Sequence, residues 1–198
     1  DNTFIRDMFV ENTPAASTVK VHIAAEGVKQ ATPLKLELRE RGSNKVVWSR
    51  QEQMDGSEKT LTLSLPQAKL WSVEEPNLYE LTAKLGNDEL TQRFGFRWFE
   101  VRDVKGDRQF YLNGKRITLI TAISWSFWPD NGITPSRELA YKQVRDAKQL
   151  GMNMLNFHRT IGNTDVLNAA DELGLLYFEE PGGNQYPANK FDDGTAYT

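Results

Sequence analysis

The chain has 198 residues, 39% of them hydrophobic and 26% charged, with a net charge of −3. That is the composition of a globular protein with room for one large domain or two small ones. The small negative charge, with no long basic or acidic block, offers no global attraction to nucleic acid or to an anionic membrane. The lack of cysteine excludes disulfides, thiolate metal sites and a Cys nucleophile, and is neutral about compartment. No stretch approaches the roughly 20 apolar residues of a membrane span.

The opening "DNTFIRDMFV" has no initiator Met, no basic n-region and no apolar h-region, and reads as the inside of a longer chain. From Ser17 to about Val101 the hydrophobic period is two. Val19, Val21 and Ile23 alternate with polar residues, as do Leu34, Leu36 and Leu38, and "KVVW", "TLTLSL" and "YELTAKL" continue the series. Turn signals stand between them at Gly42-Ser43-Asn44, Asp55-Gly56 and Gly86-Asn87-Asp88. Around seven short strands at this spacing predict an immunoglobulin-like antiparallel sandwich over 1–101. His22 lies between Val21 and Ile23 on the opposite face and reads as a solvated sandwich residue.

Past 101 the pattern changes. Asn113-Gly114 between apolar runs predicts a type I′ hairpin in "FYLNGKRITL", and "ITLITAIS" reads as a buried strand. Thr134 is placed to cap a helix with Pro135 at its first position. Leu139, Ala140, Val144, Ala147 and Leu150 give that helix one apolar face, and Gly151 stops it. Residues 152–157 read as a second buried strand. A helix from Asn163 or Thr164 to Leu173 follows, stopped by Gly174, and then a third strand at "LLYF". Strand–helix–strand–helix–strand predicts a parallel α/β sheet over 102–198.

Four stretches in this order, Leu70-Trp71 to Tyr79, Phe94-Gly95-Phe96-Arg97, Leu112-Asn113-Gly114-Lys115 and Asp171 to Leu176, resemble glycoside hydrolase family 2, which includes β-galactosidases, β-glucuronidases and β-mannosidases. The resemblance implies a sandwich followed by the first three or so βα units of a (β/α)8 barrel, a fold of about 250 residues in full. It also implies a carbohydrate substrate, retaining hydrolysis of an O-glycosidic bond, no cofactor, and catalytic glutamates beyond Thr198. Glu179 and Glu180 do not substitute for that pair, because neighbours on a strand point to opposite faces. The chain by itself is therefore expected to be inactive, and an exported location is favoured only by analogy. The alternative is a non-catalytic carbohydrate-binding or structural module.

Barrel chemistry sits at the carboxyl ends of the strands. Trp125 stands roughly where family members carry a His at the first exit, and Trp128 follows in the loop; a Trp face suits stacking on a pyranose. At the second exit the family's "N-x-V-R-x-S-H" is matched by Asn153 and Leu155. Asn156 takes the Arg position, and His158 falls one place early. Asn156 and His158 share a strand face and are candidates for sugar hydroxyls. Arg159 is a further candidate, with ion pairing in the helix layer as its competing role. Glu179 aligns with an acidic position that often hydrogen-bonds substrate in the family; a carboxylate suits that role as a pure acceptor, and holding a neighbouring Arg or His in place is its competing role. Pro181-Gly182-Gly183-Asn184 lacks the Glu and His that Mg²⁺-binding members use, so no metal is expected. Three parallel strands would also leave an open sheet edge and an uncovered apolar face, which predicts self-association, partial disorder after Pro181 or rearranged packing.

Overall fold

The structure is a computed structural model describing residues 3–124 and 135–180. Contacts divide the chain into two compact units, Asp1–Thr118 and Leu119–Thr198. The first holds seven strands: β1 (Phe4–Asn12), β2 (Thr18–Glu26), β3 (Thr32–Glu40), β4 (Val46–Met54), β5 (Glu58–Ser64), β6 (Tyr79–Leu85) and β7 (Asp88–Phe94). They form two antiparallel sheets, ordered β1-β2-β5 and β4-β3-β6-β7. Val19, Val21 and Ile23 from one sheet and Leu34, Leu36 and Leu38 from the other are 2% exposed or less and join a single hydrophobic core. The period-two alternation has become the inside of a β-sandwich.

Two strands had no alternation to read. In β1, Ile5 and Met8 both point inward although three residues apart, because a bulge between Ile5 and Asp7 resets the register. In the edge strand β7 only Phe94 is buried. Asp88 Oδ2 accepts the Ile5 N–H at 2.7 Å, tying the two edge strands together.

A further three-stranded sheet, β8 (Phe99–Val104), β9 (Asp107–Leu112) and β10 (Lys115–Arg116), also belongs to the first unit. Asn113 (φ 53°) and Gly114 (φ 75°) make the expected I′ turn, and Lys105 (φ 57°) with Gly106 (φ 85°) makes a second one. The change of period placed a boundary at 101/102; the contact boundary falls after Thr118 instead. The reason is Asn113, which binds the hairpin to the sandwich: Nδ2 donates to Trp71 O at 2.8 Å and Oδ1 accepts Trp98 N–H at 3.1 Å. Trp71, 0% exposed, donates its backbone N–H to Phe96 O at 2.9 Å and carries the Arg97 guanidinium 4.3 Å above its ring. Gly95 lies against it so closely that a Cβ there would stand 2.6 Å from Trp71 Cβ. Beside this knot the buried Tyr79 oxygen accepts Lys69 N–H at 2.8 Å, and burial pushes its pKa up.

The second unit contains β11 (Thr121–Ser124), α1 (Arg137–Gln149), β12 (Met154–Phe157), α2 (Thr164–Leu173) and β13 (Leu176–Glu179). The strands are parallel in the order β11-β12-β13. Ala140, Val144 and Ala147 of α1 and Val166, Ala169 and Ala170 of α2 are buried with Leu155, Phe157 and Leu175. Three expectations need correcting. The cap of α1 is Ser136, whose side chain accepts Leu139 N–H at 3.2 Å; Pro135 therefore precedes the cap, and Thr134 lies outside the described residues. Leu150 is 74% exposed, because it is the residue on which the helix ends, with Met152 N–H reaching back to Ala147 O at 3.0 Å. Among the described residues the strand read in "ITLITAIS" covers Thr121–Ser124 and is not buried on both faces: Ile123 is 55% exposed. Lys148 joins the helices by donating to Leu173 O (2.5 Å) and Gly174 O (2.9 Å) at the end of α2.

Candidate functional site at the strand exits

Register decides which side chains meet. Ile123 pairs with Asn156 and Asn156 with Phe178; Ser124 pairs with Phe157 and Phe157 with Glu179. Phe157 is buried in the core formed with the helices, so its row, including Ser124 and Glu179, faces the helix layer. Gln143 of α1 accordingly donates to Ser124 Oγ at 3.1 Å. The other row, Ile123, Asn156 and Phe178, faces away from the helices, and Ile123 and Phe178 are each 55% exposed.

Continuing that second row past the strand ends brings His158 and Glu180 together, with His158 Nδ1 3.4 Å from Glu180 Oε2. The Arg159 backbone N–H donates to the same oxygen at 3.1 Å, and the Asn156 side chain also bonds this carboxylate. Those two contacts, in that order, hold the Glu180 carboxyl below its usual range, with nearby His158 and Arg159 adding to the effect and partial burial opposing it. The His158 N–H donates to Ser124 O at 3.0 Å, extending the β11–β12 ladder by one bond. Asn156 Oδ1 is buried and has no hydrogen-bond partner among the described residues.

The candidates thus separate. Asn156 and His158 come together on the open face, as their spacing implied. Glu179 is on the helix side, where its Oε1 accepts Gly162 N–H at 3.0 Å. Arg159 has left strand geometry (φ 57°) and enters the cluster through its backbone. Trp125 and Trp128, like Pro181-Gly182-Gly183-Asn184, lie outside the described residues. Glu180 is the member that sequence reasoning passed over. The signal was available: His158 and Glu180 each stand one residue past paired positions, Phe157 and Glu179, and so must share a face. Asn153, shared with the family pattern, has a structural task; its Oδ1 accepts Ile120 N–H at 2.8 Å while its own N–H donates to Ile120 O at 3.0 Å.

Among the described residues no three or more His, Asp and Glu gather in a way that would hold a metal ion, and no helix is long and apolar enough to cross a membrane. His22, on the sandwich, bonds Glu11 Oε2 at 2.9 Å and Thr60 Oγ1 at 3.1 Å. It cross-links three strands on the outer face of the sheet.

Residues 3–97 match the model of glycosyl hydrolases family 2. The chain is 36% identical over 131 residues to a β-galactosidase of Thermoanaerobacterium thermosulfurigenes, an alignment covering 64% of this chain and 18% of the relative. A β-glucuronidase of Parabacteroides merdae has the same fold over 91% of the chain and 24% of its own length, with a TM-score of 0.74 at 23% identity. A Bifidobacterium dentium β-glucuronidase complexed with coumarin-3-O-glucuronide superposes with a TM-score of 0.78 at 17% identity, over 90% of this chain and 30% of that one. The chain therefore spans under a third of the length of each of these proteins. With its sandwich matched from end to end and three of the four quoted motifs closing around Trp71, the first unit of the chain is similar to the matched domain of glycosyl hydrolases family 2.

Proposed function

We propose that this chain is part of a glycoside hydrolase that cleaves a β-linked O-glycoside with retention. In this reading its first unit is an immunoglobulin-like sandwich, and its second is the opening of a (β/α)8 barrel whose interior is the face carrying Ile123, Asn156 and Phe178. The supporting observation is the meeting of Asn156, His158 and Glu180 at the carboxyl end of a parallel strand, on the side away from the helices, the side and end on which such barrels place their chemistry.

Asn156 and His158 are suited to bond sugar hydroxyls, since an amide and an imidazole each both donate and accept. Retaining hydrolysis requires two carboxyl groups about 5–5.5 Å apart across the scissile bond, one as nucleophile and one as acid/base. Glu179 and Glu180 do not fill these roles: they lie on opposite faces of β13 and its extension, and each accepts a backbone N–H. The two reacting carboxyls come from residues elsewhere in the whole protein.

The test is turnover of aryl β-galactosides and β-glucuronides by the protein its full gene encodes, with NMR identification of the first-formed anomer. Release of the β-anomer is expected. Release of the α-anomer overturns the retaining step, and failure to cleave any β-glycoside overturns the reading.

A further inference from the structure

The segment from β12 to α2 has a feature that sugar binding alone does not require. It leaves the strand at His158, passes through Arg159 at φ 57°, a backbone conformation few non-glycine residues adopt, and reaches Gly162 before the Asn163 cap. Gly162 is pressed against its surroundings: a Cβ there would lie 2.6 Å from Phe157 Cε2 and 2.8 Å from Leu167 Cδ2. Two consecutive carboxylates take hold of this turn from opposite sides of the next strand. Glu180 Oε2 accepts the Arg159 N–H at 3.1 Å, and Glu179 Oε1 accepts the Gly162 N–H at 3.0 Å. The Glu180 N–H completes the grip by donating to Thr160 O at 3.3 Å. The same Glu180 carboxylate contacts His158 and bonds Asn156.

We propose that Glu179 and Glu180 are a clamp of positioning residues. Alternation of the strand sends one carboxylate to each end of the five-residue turn from His158 to Gly162, fixing it in its strained path and so fixing His158 and Asn156 at the strand exit. This rests on the reading that Asn156 and His158 meet substrate. It adds a division of labour, in which the acidic pair holds the binding residues and does not itself grip the sugar. Geometry supports the assignment because each oxygen is already committed to a main-chain donor, and a backbone N–H left without its acceptor would be costly where the turn is partly buried.

The experiment is residue-resolved amide hydrogen exchange on the whole protein, comparing the parent with Glu180→Ala, Glu179→Ala and the Glu→Gln variant of each. Glu180→Ala should speed exchange at Arg159 by about tenfold or more, and Glu179→Ala should do the same at Gly162. Each Glu→Gln change keeps a carbonyl acceptor and should hold its amide within about threefold of the parent rate. Parent-like exchange of either amide in its own alanine variant overturns the clamp. For the positioning role, Glu180→Ala should raise KM for an aryl β-glycoside by about tenfold while kcat stays within about threefold, with Glu180→Gln restoring most of the loss. Faster exchange with an unmoved KM overturns the positioning role. A parent protein that cleaves no glycoside overturns the proposed function and leaves the clamp to be judged by exchange alone.

Discussion

The knot around Trp71 and the cluster around Glu180 use similar residues to opposite ends. In the knot, Trp71, Gly95, Arg97 and Asn113 close on one another: the Trp is wholly buried, both ends of the Asn113 amide are bonded to backbone, and the glycine lets its own segment pass directly against Trp71. In the cluster, Asn156, His158 and Glu180 hold one another at a strand end beside an exposed Phe178. The motifs that carry the resemblance to the family are thus mostly those that build the fold, and the residues proposed to touch a ligand, Asn156 and His158, are those at which the family pattern is broken. The resemblance to the family was legible because packing constrains residue type tightly, whereas a strand exit tolerates exchange wherever the new side chain can still hydrogen-bond.

If that contrast is right, substitutions in the knot should cost stability and those in the cluster should cost binding. Trp71→Ala is expected to have the largest effect, about 4 kcal/mol, from the lost burial of a large aromatic and the cavity it leaves. Urea denaturation would measure it, and a loss below about 1 kcal/mol would contradict a closed knot. Gly95→Ala should cost about 2–3 kcal/mol, because the new methyl meets the Trp71 Cβ, an atom that cannot swing aside. Much of the Gly95→Ala cost should persist in the double variant, since alanine at 71 keeps the Cβ that lies 2.6 Å from the new methyl and removes only the indole, whose Cγ lies at 3.0 Å. By contrast His158→Ala, which removes a partly exposed side chain, should shift stability by no more than about 1 kcal/mol while weakening glycoside binding.

How far the chain could be read in advance follows from the same physics. The sandwich was legible where burial alternates, as at Leu34-Leu36-Leu38. It was not legible in β1, where the Arg6 bulge replaces a spacing of two by three between Ile5 and Met8. The I′ turn at Asn113-Gly114 was readable because few dipeptides accept positive φ twice; Lys105-Gly106 makes the same turn without the favoured Asn or Asp and was passed over. At the strand exits, the shared face of Asn156 and His158 followed from period two. Glu180 obeys the same rule, but the family's acidic position falls on Glu179, which lies on the opposite side of the strand.

The finest test compares two carboxylates, one from each unit, that are both held below the usual range for different reasons. Glu37, on the sandwich, is lowered first by its bond to the Lys35 ammonium and next by the Arg39 guanidinium, 2.6 Å away. Glu180 is lowered first by the neutral Arg159 backbone N–H and next by the neutral Asn156 amide. A lowered folded-state pKa means that each carboxylate's contribution is present above the ordinary value of 4.5 and is lost as pH falls through the lower folded value. The Arg159 amide should therefore keep its protection down to pH 4.5 and lose it only below. Salt then separates the pair. At about 1 M NaCl the Debye length shrinks to about 3 Å, so the attraction between Glu37 and its partly exposed cations weakens and its carboxyl should move back toward the ordinary value. Glu180, held mainly by uncharged donors, should move much less, and NMR titration of the two side-chain carboxyl carbons would read both directly. Equal movement would mean that the charges of His158 and Arg159, and not the backbone hydrogen bond, govern the strand exit.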